Sequence, residues 1–257
     1  MEDFIVTFLG TGTSQGVPMI ACDCKVCQSC DQKDKRLRSS ILIKQNDVQV
    51  VIDTGPDFRY QMLREKVKRL DAVVFTHEHK DHVAGLDDIR GFNYFMKSSM
   101  SIFATERVQK ALKREFYYAF ESEKYPGVPQ LELKTILNKP FDVLGVKFTP
   151  IEMTHFKMPV FGYRVGDFAY LTDANAISEK ELKKLIGVKV LVINALREAK
   201  HISHFSLEEA LHLIKQINPK EAYLTHLSHQ MPRYQELIEM LPENVFPAYD
   251  GLKLKIC

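Results

Sequence analysis

The chain has 257 residues and a formal net charge of +2, with acidic and basic residues interspersed. That length can bury a large core, and no linker or repeat divides it, so we expect one domain spanning residues 1–257. The balanced charge argues against a nucleic-acid partner, which usually requires a basic stripe. No apolar stretch approaches transmembrane length and no basic segment precedes the first apolar run, so the sequence indicates a cytoplasmic protein without a membrane partner.

Short apolar strands alternate with amphipathic helices along the chain, which predicts an α/β or α+β domain. The first strand is expected at Phe4–Leu9, before a glycine-rich turn, and Ile41–Lys44 and Val48–Ile52 should form a hairpin. Further strands are expected at Ala72–Phe75, Val146–Met153, Val160–Val165, Phe168–Leu171, Val188–Ile193 and Ala222–Leu224.

Two helices are marked by a capping-box pattern, in which a serine is followed three residues later by a glutamate. These helices start near Ser178 and Ser206, and both continue with apolar residues at helical spacing. A third helix is expected from Glu106 to Phe120. The pattern alone does not indicate how the layers stack.

The predicted strand Ala72–Phe75 leads directly into four potential metal ligands, His77, His79, Asp81 and His82. Ligands bind at the carboxyl ends of strands in such folds because the loops converge there. In an extended segment, positions 77 and 79 point to the same side. Imidazole and carboxylate groups are the ligands that zinc, iron and manganese favour, so this loop predicts ligands for two ions.

Two ions need more ligands than one loop supplies, so other segments must contribute. Three more histidine or aspartate residues follow predicted strands directly, and these are His155, Asp173 and His226. Because strand ends meet at one edge of a sheet, we expect these side chains to join the histidine-rich loop.

This order of motifs, His-x-His-x-Asp-His followed by His, Asp and His, resembles the metallo-β-lactamase superfamily from Phe4 to the end of the chain. The resemblance implies a four-layer αβ/βα sandwich with the metals at one edge. It also implies which ligands serve each ion: His77, His79 and His155 for the first, Asp81, His82 and His226 for the second, and Asp173 bridging both.

Asp53 resembles another strand-end aspartate of the same superfamily. In that interpretation its carboxylate accepts hydrogen bonds from the metal-binding loop and fixes the loop in place. The alternative is an ordinary turn aspartate before Gly55 and Pro56.

Four of the five cysteines lie within nine residues, at Cys22, Cys24, Cys27 and Cys30. Such crowding suits metal binding in a reducing compartment better than disulfides. The C-x-C-x-x-C spacing of the first three supplies three corners of a tetrahedron, and the fourth ligand is His229 or Cys30. The loop and the H-x-x-H pair ending at His229 resemble the phosphodiesterases of the carbon–phosphorus-lyase pathway, which open phosphoribosyl 1,2-cyclic phosphate. In that branch the second histidine completes a structural zinc site, so His229 is preferred.

Two cations that share a bridging water would create a hydroxide nucleophile near neutral pH and accept the oxygens of a phosphodiester. The resemblance therefore predicts hydrolysis of a small, cyclic phosphodiester by two ions of zinc, manganese or iron, with Asp81 essential for catalysis. His204, before the helix at Ser206, is the expected proton donor, and His201 is the alternative. Cations and a helix N-terminus both disfavour a charged imidazole, so a neighbouring carboxylate is required.

Two other functions share parts of this pattern. The tRNA 3′-processing endonucleases have a similar ligand set, but a long tRNA-gripping arm precedes their bridging aspartate, and Asp173 follows His155 by only 18 positions. A non-catalytic relative in quinone-cofactor biosynthesis has a similar cysteine loop with an incomplete ligand set, whereas all seven positions are filled here. Relatives also suggest a homodimer, which no stretch of the sequence demonstrates.

Overall fold

The computed structural model describes residues 4–256, whose strands form two sheets stacked face to face. The first part of the chain supplies β1 (Phe4–Gly10), β2 (Ser40–Gln45), β3 (Val48–Ile52), β4 (Ala72–Val74), β5 (Met100–Ala104) and β6 (Leu131–Thr135). The second part supplies β7 (Phe141–Val143), β8 (Val146–His155), β9 (Met158–Val165), β10 (Phe168–Leu171), β11 (Ala176–Ile177), β12 (Val190–Asn194), β13 (Glu221–Thr225) and β14 (Val245–Pro247). The last described strand, β15 (Lys253–Ile256), returns to the first sheet beside β1.

Strand direction decides where the loops meet. In the first sheet, ordered β15-β1-β2-β3-β4-β5-β6, strands β3 to β6 run parallel. In the second sheet, ordered β11-β8-β9-β10-β12-β13-β14 with β7 beside β8, strands β10, β12, β13 and β14 run parallel. Strand β8 shares their direction because β8 and β10 are both antiparallel to β9. The carboxyl ends of these strands therefore lie at one edge of each sheet, where ligand sites form.

Helices cover the outer faces of both sheets. The first sheet is covered by α1 (Phe58–Arg64), α2 (Lys80–Val83), α3 (Arg90–Met96) and α4 (Glu106–Glu115). The second sheet is covered by α5 (Glu179–Leu182), α6 (Leu207–Ile217) and α7 (Tyr234–Met240). No helix within residues 4–256 has both the length and the apolar character needed to cross a lipid bilayer.

The apolar core lies in three layers, one between the sheets and one under each set of helices. Along β1, Phe4, Val6 and Phe8 alternate towards the second sheet, and the Phe8 ring centroid lies 6.0 Å from that of Tyr223. Leu9 packs instead in the layer under the helices of the first sheet. This arrangement confirms the predicted four-layer αβ/βα sandwich.

Each predicted strand is present, with ends shifted by no more than two residues. The predicted helix Glu106–Phe120 is too long, because α4 ends at Glu115 and a separate 3-10 turn follows at Tyr117–Ala119. The capping box at Ser206 is confirmed. At Ser178 the serine caps the helix, but Glu181 accepts a hydrogen bond from the Glu152 backbone N–H, so the box is incomplete and α5 has only four residues.

Candidate metal centre

The seven predicted metal ligands lie together at the shared edge of the two sheets, although they come from four separate segments of the chain. The His77 ring centroid lies 4.7 Å from that of His79 and 4.2 Å from that of His82. The His79 and His155 centroids are 5.0 Å apart, and those of His82 and His226 are 6.0 Å apart. Side chains separated by up to 149 positions in the sequence therefore form one cluster.

Asp173 occupies the middle of this cluster. Its Oδ2 atom lies 3.1 Å from Nε2 of His82 and 3.6 Å from Nε2 of His77. Its Oδ1 atom lies 2.8 Å from Nδ1 of His226. One buried carboxylate thus faces imidazoles from both predicted ligand groups, which is the position that a shared ligand requires.

The donor set fits divalent cations. Nε2 of His77 and Nε2 of His226 are buried and have no hydrogen-bond partner within residues 4–256. A buried polar atom without a partner costs about 1–3 kcal/mol, and an imidazole nitrogen is a preferred ligand of zinc and related ions. His79 is exposed, so the cluster is open to solvent on one side.

Three strand-end residues of the centre share an uncommon backbone conformation. Asp53, Asp173 and His226 have φ angles of +66°, +57° and +57°. This left-handed region costs most residues about 1–2 kcal/mol, although aspartate and histidine adopt it more readily than others. At Asp173 the turn is fixed by Asn194, whose side chain accepts from the Ala174 N–H at 2.9 Å and donates to the Ala174 carbonyl at 3.1 Å. Strain held in place by such contacts is typical of functional sites.

Asp53 connects the first sheet to the histidine-rich loop. Its carboxylate accepts hydrogen bonds from the Thr76 backbone N–H at 2.9 Å and from the Thr76 hydroxyl at 2.8 Å. Its Oδ2 atom also lies 2.7 Å from Nδ1 of His82. Because Nδ1 of His82 is held by Asp53, Nε2 is left to face Asp173. These contacts join the end of β3 to the histidine-rich loop.

Negative charge is concentrated in the centre. Burial disfavours charge on His82, but the neighbouring carboxylates of Asp81, Asp173 and Asp53 outweigh it and raise the pKa of His82 well above its usual value. Burial likewise opposes ionisation of Asp173, yet His226 and His82 hold the pKa of that carboxyl well below its usual range. Buried carboxylates need positive partners, which divalent cations supply.

His204 adjoins the cluster from the second sheet. Its ring stacks on His226 with centroids 4.9 Å apart and meets the edge of His155 at 4.6 Å. Burial, followed by the charge of His226, lowers the pKa of His204 to about 3, whereas Asp173 acts in the opposite direction. Asp173 is the neighbouring carboxylate, and burial and His226 outweigh its effect on the pKa of His204. His201 lies further from the ligands, with its ring 5.3 Å from that of His204.

Several supporting residues were not predicted. The Ser39 hydroxyl lies 3.2 Å from Nδ1 of His226, and the Ser203 carbonyl accepts a hydrogen bond from Nδ1 of His155 at 2.8 Å. Ser39 lies directly before β2 rather than after a strand, so the strand-end pattern did not indicate it. Asn194 ends β12 as a polar residue, which is the same signal that identified Asp173.

The cysteine loop forms a second cluster. Cys22 Sγ and Cys24 Sγ lie 3.2 Å and 3.5 Å from Nδ1 of His229, and the potential ligand atoms of Cys22, Cys24, Cys27 and His229 lie within 4.8 Å of one another. Cys30 is exposed. The backbone N–H of Cys27 and the nearby His229 help to lower the pKa of Cys24 to about 6, whereas burial raises the pKa of Cys27 to about 11. The cluster joins the loop after β1 to the loop after β13.

Residues 49–227 match the family described as the beta-lactamase superfamily domain. The chain belongs to this superfamily. The crystal structure of a diphosphatase from the PhnP family is 38% identical, covers 100% of this chain and 98% of that one, and has a TM-score of 0.94. The predicted superfamily is confirmed, together with the predicted branch, to which the PhnP family belongs, and the Asp/His cluster is a candidate site for divalent metal ions.

Two more distant structures share the fold. Zinc-bound PqqB from Methylobacterium extorquens is 18% identical, with a TM-score of 0.80 over 98% of this chain and 100% of that one. Human short-form tRNase Z is 19% identical, with a TM-score of 0.72 over 98% of this chain and 99% of that one. At these identities the likeness concerns the fold alone.

One curated protein with a similar sequence is an octanoyltransferase of Porphyromonas gingivalis, which is 41% identical to this chain over 248 residues. The match covers 95% of this chain and 50% of that protein. The chain therefore spans about half the length of the curated relative it matches.

Proposed function

We propose that this protein hydrolyses a phosphodiester bond in a small molecule with the help of two divalent metal ions. The observation that carries the proposal is the meeting of all seven ligand candidates around buried Asp173. When bound, zinc, manganese or iron would lower the pKa of water and offset charge on the phosphate oxygens. The residues that would hold the two ions are His77, His79, His155, Asp81, His82, His226 and Asp173.

The protein's own contribution is to hold these side chains in position before substrate arrives. Asp53 orients His82, and the Ser203 carbonyl orients His155 by accepting from its Nδ1. Such contacts fix the ring tautomer, and their loss commonly lowers metal affinity or activity about 10- to 100-fold. A third ion, structural zinc, is proposed among Cys22, Cys24, Cys27 and His229, and exposed Cys30 is not included.

The segment between His155 and Asp173 supports a small substrate. Strands β9 and β10 occupy it almost completely, and both are paired within the second sheet. No residues remain to form the arm that a tRNA-processing endonuclease uses to grip its substrate. Within the small phosphodiesters, phosphoribosyl 1,2-cyclic phosphate is the first choice, as in the branch that the cysteine loop resembles.

A diphosphate is the second candidate, because the structural relative with a TM-score of 0.94 is a diphosphatase. Both candidates require attack of water on phosphorus and departure of an oxygen. The octanoyltransferase name belongs to a protein twice as long, and half of that protein has no counterpart in this chain.

A turnover panel tests the proposal. The substrates are phosphoribosyl 1,2-cyclic phosphate, 2′,3′- and 3′,5′-cyclic nucleotides, a nucleoside diphosphate, a precursor tRNA and an octanoyl thioester, each with zinc, manganese or iron. We expect hydrolysis of a small phosphate compound by the wild type, loss of that activity in Asp81→Ala, and full activity in Asp167→Asn, which changes an exposed surface ion pair. Turnover restricted to tRNA or the thioester, or no turnover at all, would contradict the proposal.

His204 is proposed to donate the proton to the leaving oxygen, since its ring borders both His155 and His226. The negative charge of a bound phosphate would raise its pKa from the low value of the buried ring. We expect His204→Ala to lower kcat about 100-fold on a cyclic phosphate, whose alkoxide needs a proton, and only slightly on bis(p-nitrophenyl) phosphate, whose nitrophenolate does not. Equal losses on both substrates, or a selective loss in His201→Ala instead, would reject His204 as the donor.

A further inference from the structure

The loop between β12 and α6 carries His204 but has little apolar packing of its own. Its base is closed by the Leu196 N–H, which donates to the Phe205 carbonyl at 3.0 Å. Between these two positions, at residues 197–204, His204 is the only buried residue. A segment with so few buried contacts is held mainly by its hydrogen bonds, so these bonds decide where His204 lies.

The Arg197 side chain supplies hydrogen bonds to the first half of this loop. Its Nε donates to the Ala199 carbonyl at 3.3 Å, and its Nη2 donates to the Lys200 carbonyl at 3.0 Å. The Arg197 carbonyl in turn accepts from the N–H of Leu207, the first residue of α6, at 2.9 Å. A guanidinium presents its donors in a rigid planar fork, so one side chain can fix two neighbouring carbonyls.

The third nitrogen of the guanidinium reaches the loop after β13. Nη1 of Arg197 donates to Oε1 of Gln230 at 3.0 Å, and Gln230 directly follows His229 of the cysteine cluster. The Ser228 N–H also donates to the Leu196 carbonyl at 3.0 Å. All three guanidinium nitrogens therefore have an acceptor within the protein, which suits a structural task better than contact with a substrate phosphate.

The second half of the loop connects these contacts to the metal centre. Nδ1 of His201 accepts from the Ser203 N–H at 3.3 Å, which closes a tight turn directly after Lys200. The Ser203 carbonyl accepts from Nδ1 of His155 at 2.8 Å, one residue before His204. A continuous series of hydrogen bonds thus runs from Arg197 to the residue next to His204.

We propose that Arg197 is a positioning residue, which holds the loop so that the His204 ring meets the leaving oxygen. The inference rests on the proposed function and adds a residue to it. Arg197→Lys keeps the charge but loses the planar fork. Because a misplacement of about 1 Å can cost about 100-fold in rate, we expect this partial loosening to lower kcat on a cyclic phosphate about 10-fold. KM, and turnover of bis(p-nitrophenyl) phosphate, should change little.

A double-mutant cycle on the metal-loaded protein tests whether Arg197 acts through His204. If it does, Arg197→Lys should cost about 10-fold alone and almost nothing in a His204→Ala background. Two independent losses would multiply instead. Arg164→Lys is the matched control, because the Arg164 guanidinium also donates to backbone carbonyls, those of Gly166 at 2.8 Å and Ile186 at 2.9 Å. Those contacts lie at the opposite edge of the second sheet, so the control should keep full activity.

Amide hydrogen exchange, followed by mass spectrometry, gives a readout that does not depend on turnover. We expect residues 198–204 to exchange faster in Arg197→Lys than in the wild type, and at the wild-type rate in Arg164→Lys. Unchanged exchange in Arg197→Lys, equal rate losses on both substrates, or multiplying losses in the double variant would each overturn the inference. So would a raised KM with unchanged kcat, which would make Arg197 a substrate-binding residue. Failure of the proposed function is distinct, because it would appear as absent turnover by the wild type while the difference in exchange persisted.

Discussion

Asp173→Asn is expected to lower kcat/KM by about 1,000-fold or more. The substitution removes the charge of a carboxylate that faces His77, His82 and His226, and a metal centre supplies several kcal/mol of transition-state stabilisation. Asparagine tolerates the left-handed φ of +57°, so the backbone turn should be kept. Steady-state kinetics and metal content of the purified variant measure the effect, and we expect fewer bound ions as well as slower turnover.

The control for this experiment is Asp167→Asn. Asp167 pairs with Lys189 on the surface, so its loss should change neither activity nor metal content. Wild-type kinetics and a full metal complement in Asp173→Asn would contradict the proposal that Asp173 is a ligand shared by both ions. A variant that fails to fold would show a lost circular-dichroism spectrum, in which case Asp173→Glu, which keeps the charge but moves the oxygens, provides the same comparison.

Cys27→Ala is expected to remove one metal ion per chain and to lower the Tm by about 10 °C. Cys27 is buried in the cysteine cluster. Loss of a structural metal is among the largest single-residue effects and would lower the free energy of unfolding by roughly 3–4 kcal/mol. In a chain of this size each kcal/mol lowers the Tm by about 2–4 °C. The loop after β13 carries both His226 and His229, so activity should also fall. Calorimetry and element analysis give the two readouts.

Cys30→Ala is the matched control for the cysteine cluster. Cys30 comes from the same loop but is exposed, so its replacement should leave the Tm and the metal count unchanged. The opposite pattern, with metal lost from Cys30→Ala and retained in Cys27→Ala, would show that the fourth ligand is Cys30 and that His229 has another role.

The strand-end residues could be predicted from the sequence because a polar side chain directly after an apolar strand indicates a ligand site at the edge of the sheet. His155, Asp173 and His226 each follow such a strand, and parallel strand ends meet at one edge. The same reasoning could have identified Asn194, which holds the Asp173 turn.

Other parts of the site depend on three-dimensional contacts that sequence pattern does not encode. Ser39 meets His226 across 187 positions, and no local spacing points to it. The carboxylate beside His204 is Asp173, which comes from a different strand end. The sequence pattern also overestimated the length of α4. A further helical turn was expected after Glu115, but Phe116 is buried there and the chain continues as a 3-10 turn. Tertiary packing decided these features.

Anomalous diffraction at the metal absorption edges, from crystals of the metal-loaded protein, tests the central claim most directly. The account predicts two peaks about 3.5–4 Å apart, both next to the Asp173 carboxylate, and a third peak among the cysteines and His229. A map without any peak beside Asp173 would contradict it.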